Sequence, residues 1–406
     1  MAGAVPWFAR HPRVVQALAR APYEGRVQIE RTHVYFAEFA LGAVVCVPVR
    51  NEAERLPACL DALERTIVRS AGDSCGVVFI INNTTDNSAD IVRAWAGRAG
   101  IAALVCEVTL ARGAANVAFA RRLALDLAEG VSRRDAVLLS TDADTRVGAD
   151  WVARMVAAVR GGAAMVAGGI EADAAELATL PPKVHHVGAV EQTLGDLYRQ
   201  IWARLVPGEA CPMLLTANGA SMAISATAYR AVGRLPTGAR NEDRALADAV
   251  LRAGAAFSAE PSASVVTSCR LDARASHGMA ETLAARCKDA DPDIDERLGD
   301  VPTFVLHALV WRLLSAPSQD CSDVVQRVAA RLGIDPHLLR AAPGLPRWRR
   351  MAAIIAAGPP VRPLTVSEAR AEIYRARGVL AALPDEAQPI DACASLIMEK
   401  LDDAGR

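Results

Sequence analysis

The chain has 406 residues, of which 22% are charged, and a formal net charge of −1 at pH 7. This length allows one large domain with extensions, and the near-zero charge without blocks of one sign disfavours a nucleic-acid-binding surface or a polybasic membrane arm. Nine cysteines are spread singly without a Cys-x-x-Cys pair, so we expect mostly buried thiols in a reducing cytoplasm.

No stretch of the chain is predicted to cross a membrane. Residues 1–22 are interrupted by Arg and Pro, which argues against a secretory signal. The apolar run 301–314 contains His307 and Arg312 and is shorter than the roughly 18 residues that a membrane span needs. We therefore expect a cytoplasmic protein with at most peripheral membrane contact.

From Ala43 onward, short apolar runs alternate with amphipathic stretches, a pattern typical of a mostly parallel α/β sheet. The predicted strands of the first half are 43–49, 77–81, 101–108 and 136–140, with helices that start at residues 56 and 88 and a third over about 116–129. The second half is predicted to contain helices over 149–159, 184–205 and 241–253, a helical turn over 227–232, and strands over 163–170, 221–224 and 264–267. The tail after about Asp289 is predicted to be helical, with prolines 359, 360 and 363 marking a hinge before two closing helices.

The fourth predicted strand ends in two carboxylates, Asp142 and Asp144, held one residue apart. Side chains two apart in extended backbone point to the same side, so both carboxylates can face one pocket. That pocket would lie at the carboxyl end of the strand, where open α/β sheets bind their ligands. An acidic turn without a ligand is the alternative interpretation of this short motif.

Six short motifs in a fixed order resemble those of family 2 glycosyltransferases with the GT-A fold. They are Val47-Pro48-Val49-Arg50-Asn51-Glu52 (the family's P-x-x-N-E), Asn82 to Ser88 (its polar loop), Ala120-Arg121-Arg122 (A-R-N), Asp142-Ala143-Asp144 (DxD), Ala217 to Ser221 with Val232-Gly233 (acceptor-side strand), and Asn241-Glu242-Asp243 (E-D). The resemblance covers roughly residues 43–255.

This resemblance implies an α/β fold of GT-A type, a Rossmann-like, mostly parallel mixed sheet flanked by helices, with a mainly helical C-terminal extension. The implied domains are an N-terminal extension (1–42), a catalytic domain (43–288) with a nucleotide-sugar-binding half (43–148) and an acceptor-binding half (149–288), and a helical extension (289–406). The oligomeric state stays open.

The implied activity is metal-dependent transfer of a sugar from a nucleotide-diphosphate donor to an acceptor hydroxyl on a small molecule, a lipid-linked carrier or a glycan. Mg²⁺ or Mn²⁺ is the implied cofactor, because hard divalent cations neutralise a diphosphate leaving group. By the family's pattern Asp144 ligates the metal, Asp142 lies toward the ribose or reaches the metal through water, and His277 completes the metal shell. An incidental loop histidine is the alternative for His277.

The same pattern implies that Asp243 is the general base of an inverting transfer, with Glu242 as a hydrogen-bonding partner. Both residues also suit a helix N-terminus without any catalytic role, because first-turn carboxylates complement the helix dipole. The residues expected to contact the donor are Pro48, Arg50, Asn51, Glu52, Asn82, Asn83, Asp86, Arg121, Asp142, Asn218, Gly219, Arg270 and Arg274.

Among these, Arg270 and Arg274 are expected to clamp the diphosphate or an anionic acceptor, since a guanidinium matches phosphate geometry. A solvated helix face is the alternative for Arg121 and Arg122. Ile81 stands where family members usually place an Asp that contacts the nucleotide base, so the donor base is open, with Asn82 or Asn83 as substitutes.

Two other functions remain alternatives at this stage. One is a retaining GT-A enzyme resembling glucosyl-3-phosphoglycerate synthase, in which Asp243 positions the acceptor. The other is a non-catalytic sugar-nucleotide-binding or scaffold protein whose C-terminal helices bind a partner. The presence of both carboxylate motifs favours an enzyme.

Overall fold

The computed structural model describes residues 23–35, 40–70, 74–238, 241–272, 278–315, 322–340, 344–360, 362–384 and 388–403. Its strands are β1 (Val27–Val34), β2 (Leu41–Val49), β3 (Cys75–Asn82), β4 (Ala102–Leu110), β5 (Ser132–Ser140), β6 (Thr145–Val147), β7 (Met165–Ala172), β8 (Met222–Ser225) and β9 (Phe257–Thr267).

The helices, in chain order, are α1 (Leu56–Arg69), α2 (Ser88–Arg98), α3 (Val117–Val131), α4 (Trp151–Arg160), α5 (Ala174–Ala178), α6 (Pro182–Leu205), α7 (Ala226–Ala231), α8 (Glu242–Arg252), α9 (Met279–Lys288), α10 (Val301–Leu313), α11 (Ser322–Leu332), α12 (Arg347–Ala357), α13 (Val366–Ala382) and α14 (Ile390–Asp403). The described residues form two compact units. The first contains those up to 178 with 216–250 and 255–282, and the second contains 179–215, 251–254 and those from 283 onward.

The first unit is built on a nine-stranded mixed sheet with the order β1-β4-β3-β2-β5-β8-β7-β9-β6. Strands β4, β3, β2 and β5 are parallel, and β2 and β3 are buried along their whole length because helices cover both faces of such a sheet. Helix α1 buries the predicted face of Leu56, Cys59, Leu60, Leu63 and Ile67. The mixed α/β fold class predicted from the sequence is confirmed.

Three strands differ from the sequence prediction. Strand β1 lies in the segment predicted only as an extension and pairs antiparallel with β4, so the acidic motif follows the fifth strand of the chain, not the fourth. Strand β9 begins at Phe257, seven residues earlier than the predicted 264, because it resumes pairing with β7 after a register shift near Pro261. Strand β6 was missed because its three residues follow the acidic motif directly.

The second unit is a helical assembly around one apolar core, which confirms the predicted helical tail and its two closing helices. On α6, Leu194, Leu197, Ile201 and Leu205 are buried as their spacing predicts. The ring of Tyr198 stacks on Phe304 of α10 with 4.1 Å between the centroids. No helix in the described ranges is long and apolar enough to cross a membrane.

The cysteines of the described ranges form no disulfide, and all of them except the half-buried Cys287 are buried. Their predicted burial is thus confirmed for that part of the chain. Cys321 lies outside the described residues.

Candidate active site

The candidate site lies at the carboxyl ends of the parallel strands β2, β3 and β5. Residues 50–52 follow β2, residues 83–86 follow β3, and Thr141 to Asp144 follow β5. Since parallel strands end at the same edge of a sheet, these three segments are brought together by the topology. The sequence motifs of the first half therefore meet at one edge.

The loops after β2 and β3 are hydrogen-bonded to each other. The side-chain oxygen of Asn51 accepts a hydrogen bond from the Thr85 N–H at 2.8 Å, and Asp86 accepts one from the Ala53 N–H at 3.0 Å. Asn51 and Asn83 both have positive φ, at 54° and 47°, a conformation that asparagine tolerates better than most residues. The polar types in these two motifs are thus partly explained by the way the loops hold each other.

Other residues that were predicted to contact the nucleotide-sugar donor already form hydrogen bonds within the protein or are buried. Arg50 donates to the carbonyl of Ala115 at 3.3 Å, and Asn83 exchanges two hydrogen bonds, each 3.1 Å long, with the backbone of Leu110. Pro48 and Asn82 are buried within β2 and β3, and Asn218 is half-buried.

Arg270 connects two carboxylates from different segments. Its guanidinium donates a bidentate pair of hydrogen bonds to Glu52, at 2.7 and 2.6 Å, and lies 3.1 Å from Asp144. Burial lowers the pKa of Arg270, but the hydrogen bonds that it donates to Glu52 and the charges of Asp144 and Glu52 outweigh this effect and raise the pKa. Arg270 is therefore a permanent cation beside the acidic motif.

Arg121 is the centre of a buried network below the same motif. Its Nε donates to Glu242 at 3.1 Å, one terminal nitrogen donates to Ser140 and to the Gly219 carbonyl at 2.7 and 2.8 Å, and the other donates to Asp142 at 2.8 Å. Only 3% of Arg121 is exposed. Burial lowers the pKa of Arg121, but the charges of Asp142 and Glu242 outweigh this effect and raise the pKa above its ordinary value. The guanidinium therefore stays charged.

Gly219 connects this hydrogen-bond network to the first turn of α8. Its N–H donates to one carboxylate oxygen of Asp243 at 2.8 Å, while the other oxygen accepts from the Arg244 N–H at 2.7 Å. A side chain at Gly219 would overlap the Arg121 guanidinium, so only glycine fits here. Asp142, Glu242 and Asp243 are thereby linked through two residues, Arg121 and Gly219.

The Asp144 carboxylate is held in an unfavourable electrostatic environment. Burial raises its pKa first, the nearby charges of Asp142 and Glu52 raise it further, and Arg270 lowers it, so that the pKa reaches about 6. The backbone carbonyl of Asp142 accepts hydrogen bonds from the Thr145 N–H at 3.2 Å and from the Cys59 thiol at 3.6 Å. Asp144 thus concentrates negative charge that the surrounding protein compensates only in part.

The structure rules out one sequence hypothesis, and two predicted site residues lie outside the part of the chain that it describes. Arg121 and Arg122 do not form a solvated helix face, because both are buried and Arg122 pairs with Asp126 at 2.7 Å. Arg274 and His277 lie outside the described residues. Among the residues that the structure describes, no group of three or more His, Cys, Asp or Glu side chains is close enough to hold a metal ion.

Two site residues escaped the sequence analysis although they lie directly before the acidic motif. Ser140 accepts from Arg121 and donates to the Gly219 carbonyl at 2.9 Å. The hydroxyl of Thr141 is fully buried and has no hydrogen-bond partner among the described residues. The signal that could have identified them is the presence of two polar residues at the end of an otherwise apolar strand.

Comparison with known protein families gives a match to part of the chain. The family model for glycosyl transferase family 2 matches residues 44–216. No curated protein matches the chain.

Similar solved structures include the mannosyltransferase PcManGT from Pyrobaculum calidifontis in complex with GDP-Man and Mn²⁺, with 15% identity, 98% of this chain and 94% of that chain covered, and a TM-score of 0.41. TarS 1-349 from S. aureus in complex with UDP-GlcNAc has 14% identity, coverages of 89% and 92%, and a TM-score of 0.42. Glucosyl-3-phosphoglycerate synthase from Mycobacterium tuberculosis in complex with Mn²⁺, UDP and phosphoglyceric acid has 14% identity, coverages of 63% and 82%, and a TM-score of 0.37.

The matched segment begins in β2 and contains the loops after β2 and β3, Arg121 and the acidic motif. Residues 44–216, somewhat less than half of the chain, match the glycosyl transferase family 2 model, and this segment is therefore similar to a glycosyltransferase domain.

Proposed function

We propose that this chain is a metal-dependent, inverting glycosyltransferase that moves a sugar from a nucleotide-diphosphate donor to an acceptor hydroxyl. The observation that carries the proposal is the Arg121 network, in which one buried guanidinium binds Asp142, Glu242 and the Gly219 carbonyl. Through Gly219 the network reaches Asp243. A carboxylate pair suited to the leaving group and a carboxylate suited to the acceptor are therefore held in one rigid frame.

Asp142 and Asp144 fit a divalent cation. Mg²⁺ and Mn²⁺ take oxygen ligands and need only one or two protein carboxylates, since phosphates and water complete the shell. Burial and the charge of Asp142 raise the pKa of Asp144 to about 6, so its negative charge lacks full compensation, and a bound cation would supply it. Such a cation would neutralise the charge that develops on the departing diphosphate.

Asp243 is the proposed base. Each of its oxygens already accepts one backbone N–H, and each keeps a second lone pair for a substrate proton. In the proposed step Asp243 takes the proton of the acceptor hydroxyl while that oxygen bonds to the anomeric carbon. The bond from this carbon to the diphosphate oxygen breaks, and the electron pair leaves with the diphosphate.

The other residues of the site have separate proposed roles. Glu242 is engaged by Arg121 at 3.1 Å, which suits a positioning role better than that of a second base. Arg270 is proposed to hold the diphosphate, because it is anchored on Glu52 and lies next to Asp144. The loops with Asn51, Asn82, Asn83 and Asp86 are proposed to border the nucleoside.

The donor base and the acceptor are left open by this proposal. Ile81 lies in β3 and is 3% exposed, so it offers no polar contact to a base. The acceptor is a small molecule, a lipid-linked carrier or a glycan. The mostly buried cysteines of the described ranges, which form no disulfide, accord with the proposal of a reducing cytoplasm.

The test is release of nucleoside diphosphate from a panel of UDP-, GDP- and ADP-sugars, with Mn²⁺ or Mg²⁺ and with excess chelator. Release with at least one donor and its loss in chelator are expected. Release that is unchanged in chelator would contradict metal dependence. Absence of release, with retained donor binding by calorimetry, would favour the non-catalytic alternative.

The stereochemical outcome separates the two enzymatic alternatives. The inverting proposal predicts a β-linked product from an α-configured donor, read from the anomeric coupling constant by NMR. An α-linked product would favour a retaining enzyme, in which Asp243 positions the acceptor instead of removing its proton.

A further inference from the structure

The second unit contains a cavity of about 500 Å³ bordered by α10, α13 and the segment after α12. This volume falls in the range of small-molecule binding pockets. Asp300, Thr303 and His307 line one wall at helical spacing, and Glu368, Glu372 and Arg375 line another in the same way. Two polar helix faces thus meet in one cavity.

His307 is the unusual group in this lining. It lies on α10, is only 9% exposed, and lines the cavity. Burial lowers its pKa to about 4, against a smaller opposing effect of Asp300, so its imidazole is neutral near pH 7. A neutral imidazole has one hydrogen-bond donor and one acceptor, and a hydroxyl group can both accept from the first and donate to the second.

The other residues that line the cavity carry equal numbers of positive and negative charges, so the lining does not favour an ion of either sign. Its carboxylates are Asp300, Glu368 and Glu372, and its guanidinium groups are those of Arg331, Arg362 and Arg375. Arg362 donates to Glu368 at 2.8 Å, Arg375 pairs with Glu372, and Glu372 also accepts the Val301 N–H at 2.8 Å. These charges are already balanced within the protein, which disfavours a charged ligand.

An apolar surface completes the cavity, formed by Ile354, Ile355, Leu364 and the Pro359-Pro360 turn. A ligand that suits the whole lining has hydroxyl groups on one side and C–H groups on another, and it carries no charge. We propose that this cavity binds a neutral saccharide, with His307 hydrogen-bonded to one of its hydroxyl groups. The proposal rests on the second unit alone and does not depend on the catalytic roles of Asp144 and Asp243.

The test uses the full chain and saturation-transfer NMR with methyl glucoside, methyl mannoside, methyl galactoside, N-acetylglucosamine, maltose and cellobiose. Side-chain ¹⁵N spectra of the seven histidines follow His307 directly, assigned by its absence in His307→Gln. Transfer to at least one saccharide and a shift of the His307 resonance are expected. His307→Gln, which keeps a donor and an acceptor, should retain binding, whereas His307→Leu should weaken it at least about tenfold because the hydrogen bond is lost.

Asp144→Asn is the matched control, because it alters the first unit only, and it should leave saccharide binding unchanged. If no saccharide receives saturation, or if its affinity is the same in His307→Leu, the proposal is wrong. Loss of binding in Asp144→Asn would assign the saccharide to the other unit and would likewise overturn it. Should His307→Leu fail to fold, the His307 resonance of the wild-type protein decides.

Discussion

Asp144→Asn is expected to stabilise the folded protein at neutral pH. The Asp144 pKa is raised from 3.8 to about 6 by burial and by the charge of Asp142, and its side chain is only 15% exposed. A pKa difference of one unit corresponds to about 1.4 kcal/mol, so the ionised carboxylate lowers the free energy of unfolding by about 3 kcal/mol. Asparagine removes this penalty because it carries no charge.

The pH dependence has a defined sign. Below 3.8 the carboxyl is protonated in both the folded and the unfolded chain, and it brings no penalty. As the pH rises from 3.8 to about 6, the unfolded chain loses the proton first, so wild-type stability falls relative to the variant across this window. Above about pH 6 the difference stays constant at its full value.

The assay is urea unfolding of the wild type and Asp144→Asn at several pH values between 4 and 8, followed by tryptophan fluorescence. Asp135→Asn is the matched control, because Asp135 is 83% exposed and belongs to the same unit, and it should change little at any pH. Equal stabilities of wild type and Asp144→Asn at pH 8, or a difference that grows toward pH 4, would refute the electrostatic reasoning.

Three further predictions concern the cations of the site and the metal. Arg270→Gln removes the guanidinium 3.1 Å from Asp144 and should tighten Mn²⁺ binding by roughly tenfold in calorimetry, because a cation that competes with Mn²⁺ for this carboxylate is lost. The exposed Arg69→Gln should not change Mn²⁺ binding. Equal Mn²⁺ affinity in Arg270→Gln would show that Arg270 does not compete for Asp144. In Arg121→Lys the single ammonium group cannot donate hydrogen bonds to Asp142, Glu242 and the Gly219 carbonyl at the same time. The free energy of unfolding should therefore fall by about 1–3 kcal/mol for each buried acceptor that is left without a partner. A stability equal to that of the wild type would count against the network. Mn²⁺ should raise the wild-type melting temperature by mass action and leave that of Asp144→Asn unchanged, and an equal rise in both would place the metal elsewhere.

The sequence predicts the frame of the first unit well, because its parallel strands are buried on both faces and read as continuous apolar runs. Strand β1 escaped the sequence prediction for the opposite reason. It lies at the sheet edge, none of its residues is fully buried, and half-buried residues are interspersed with exposed polar ones, so it has no continuous apolar run. The acidic motif and Asn241-Glu242-Asp243 were identifiable as short patterns. The bonds that join them were not, because Arg121 reaches Gly219 and Glu242 across 98 and 121 positions of sequence.

The roles of charged residues were hardest to predict for the same reason. Arg270 looked like a loop residue available to a phosphate, and its bidentate pair with Glu52 spans 218 positions. Arg122 looked as exposed as a surface residue, yet its partner Asp126 also accepts the hydroxyls of Tyr23 and Tyr229, at 2.6 and 2.8 Å. Burial of a charge depends on such distant partners, which periodicity within one helix does not contain.

The division of labour between Asp144 and Asp243 is tested most directly by Asp243→Asn. Turnover and donor affinity are to be measured on the same protein, with the donor identified in the nucleotide-sugar panel. The asparagine keeps the acceptor for the Gly219 N–H but cannot take a proton, so turnover should fall by about 10²–10⁴-fold while the donor dissociation constant stays the same. A turnover close to that of the wild type would contradict the assignment of Asp243 as the base.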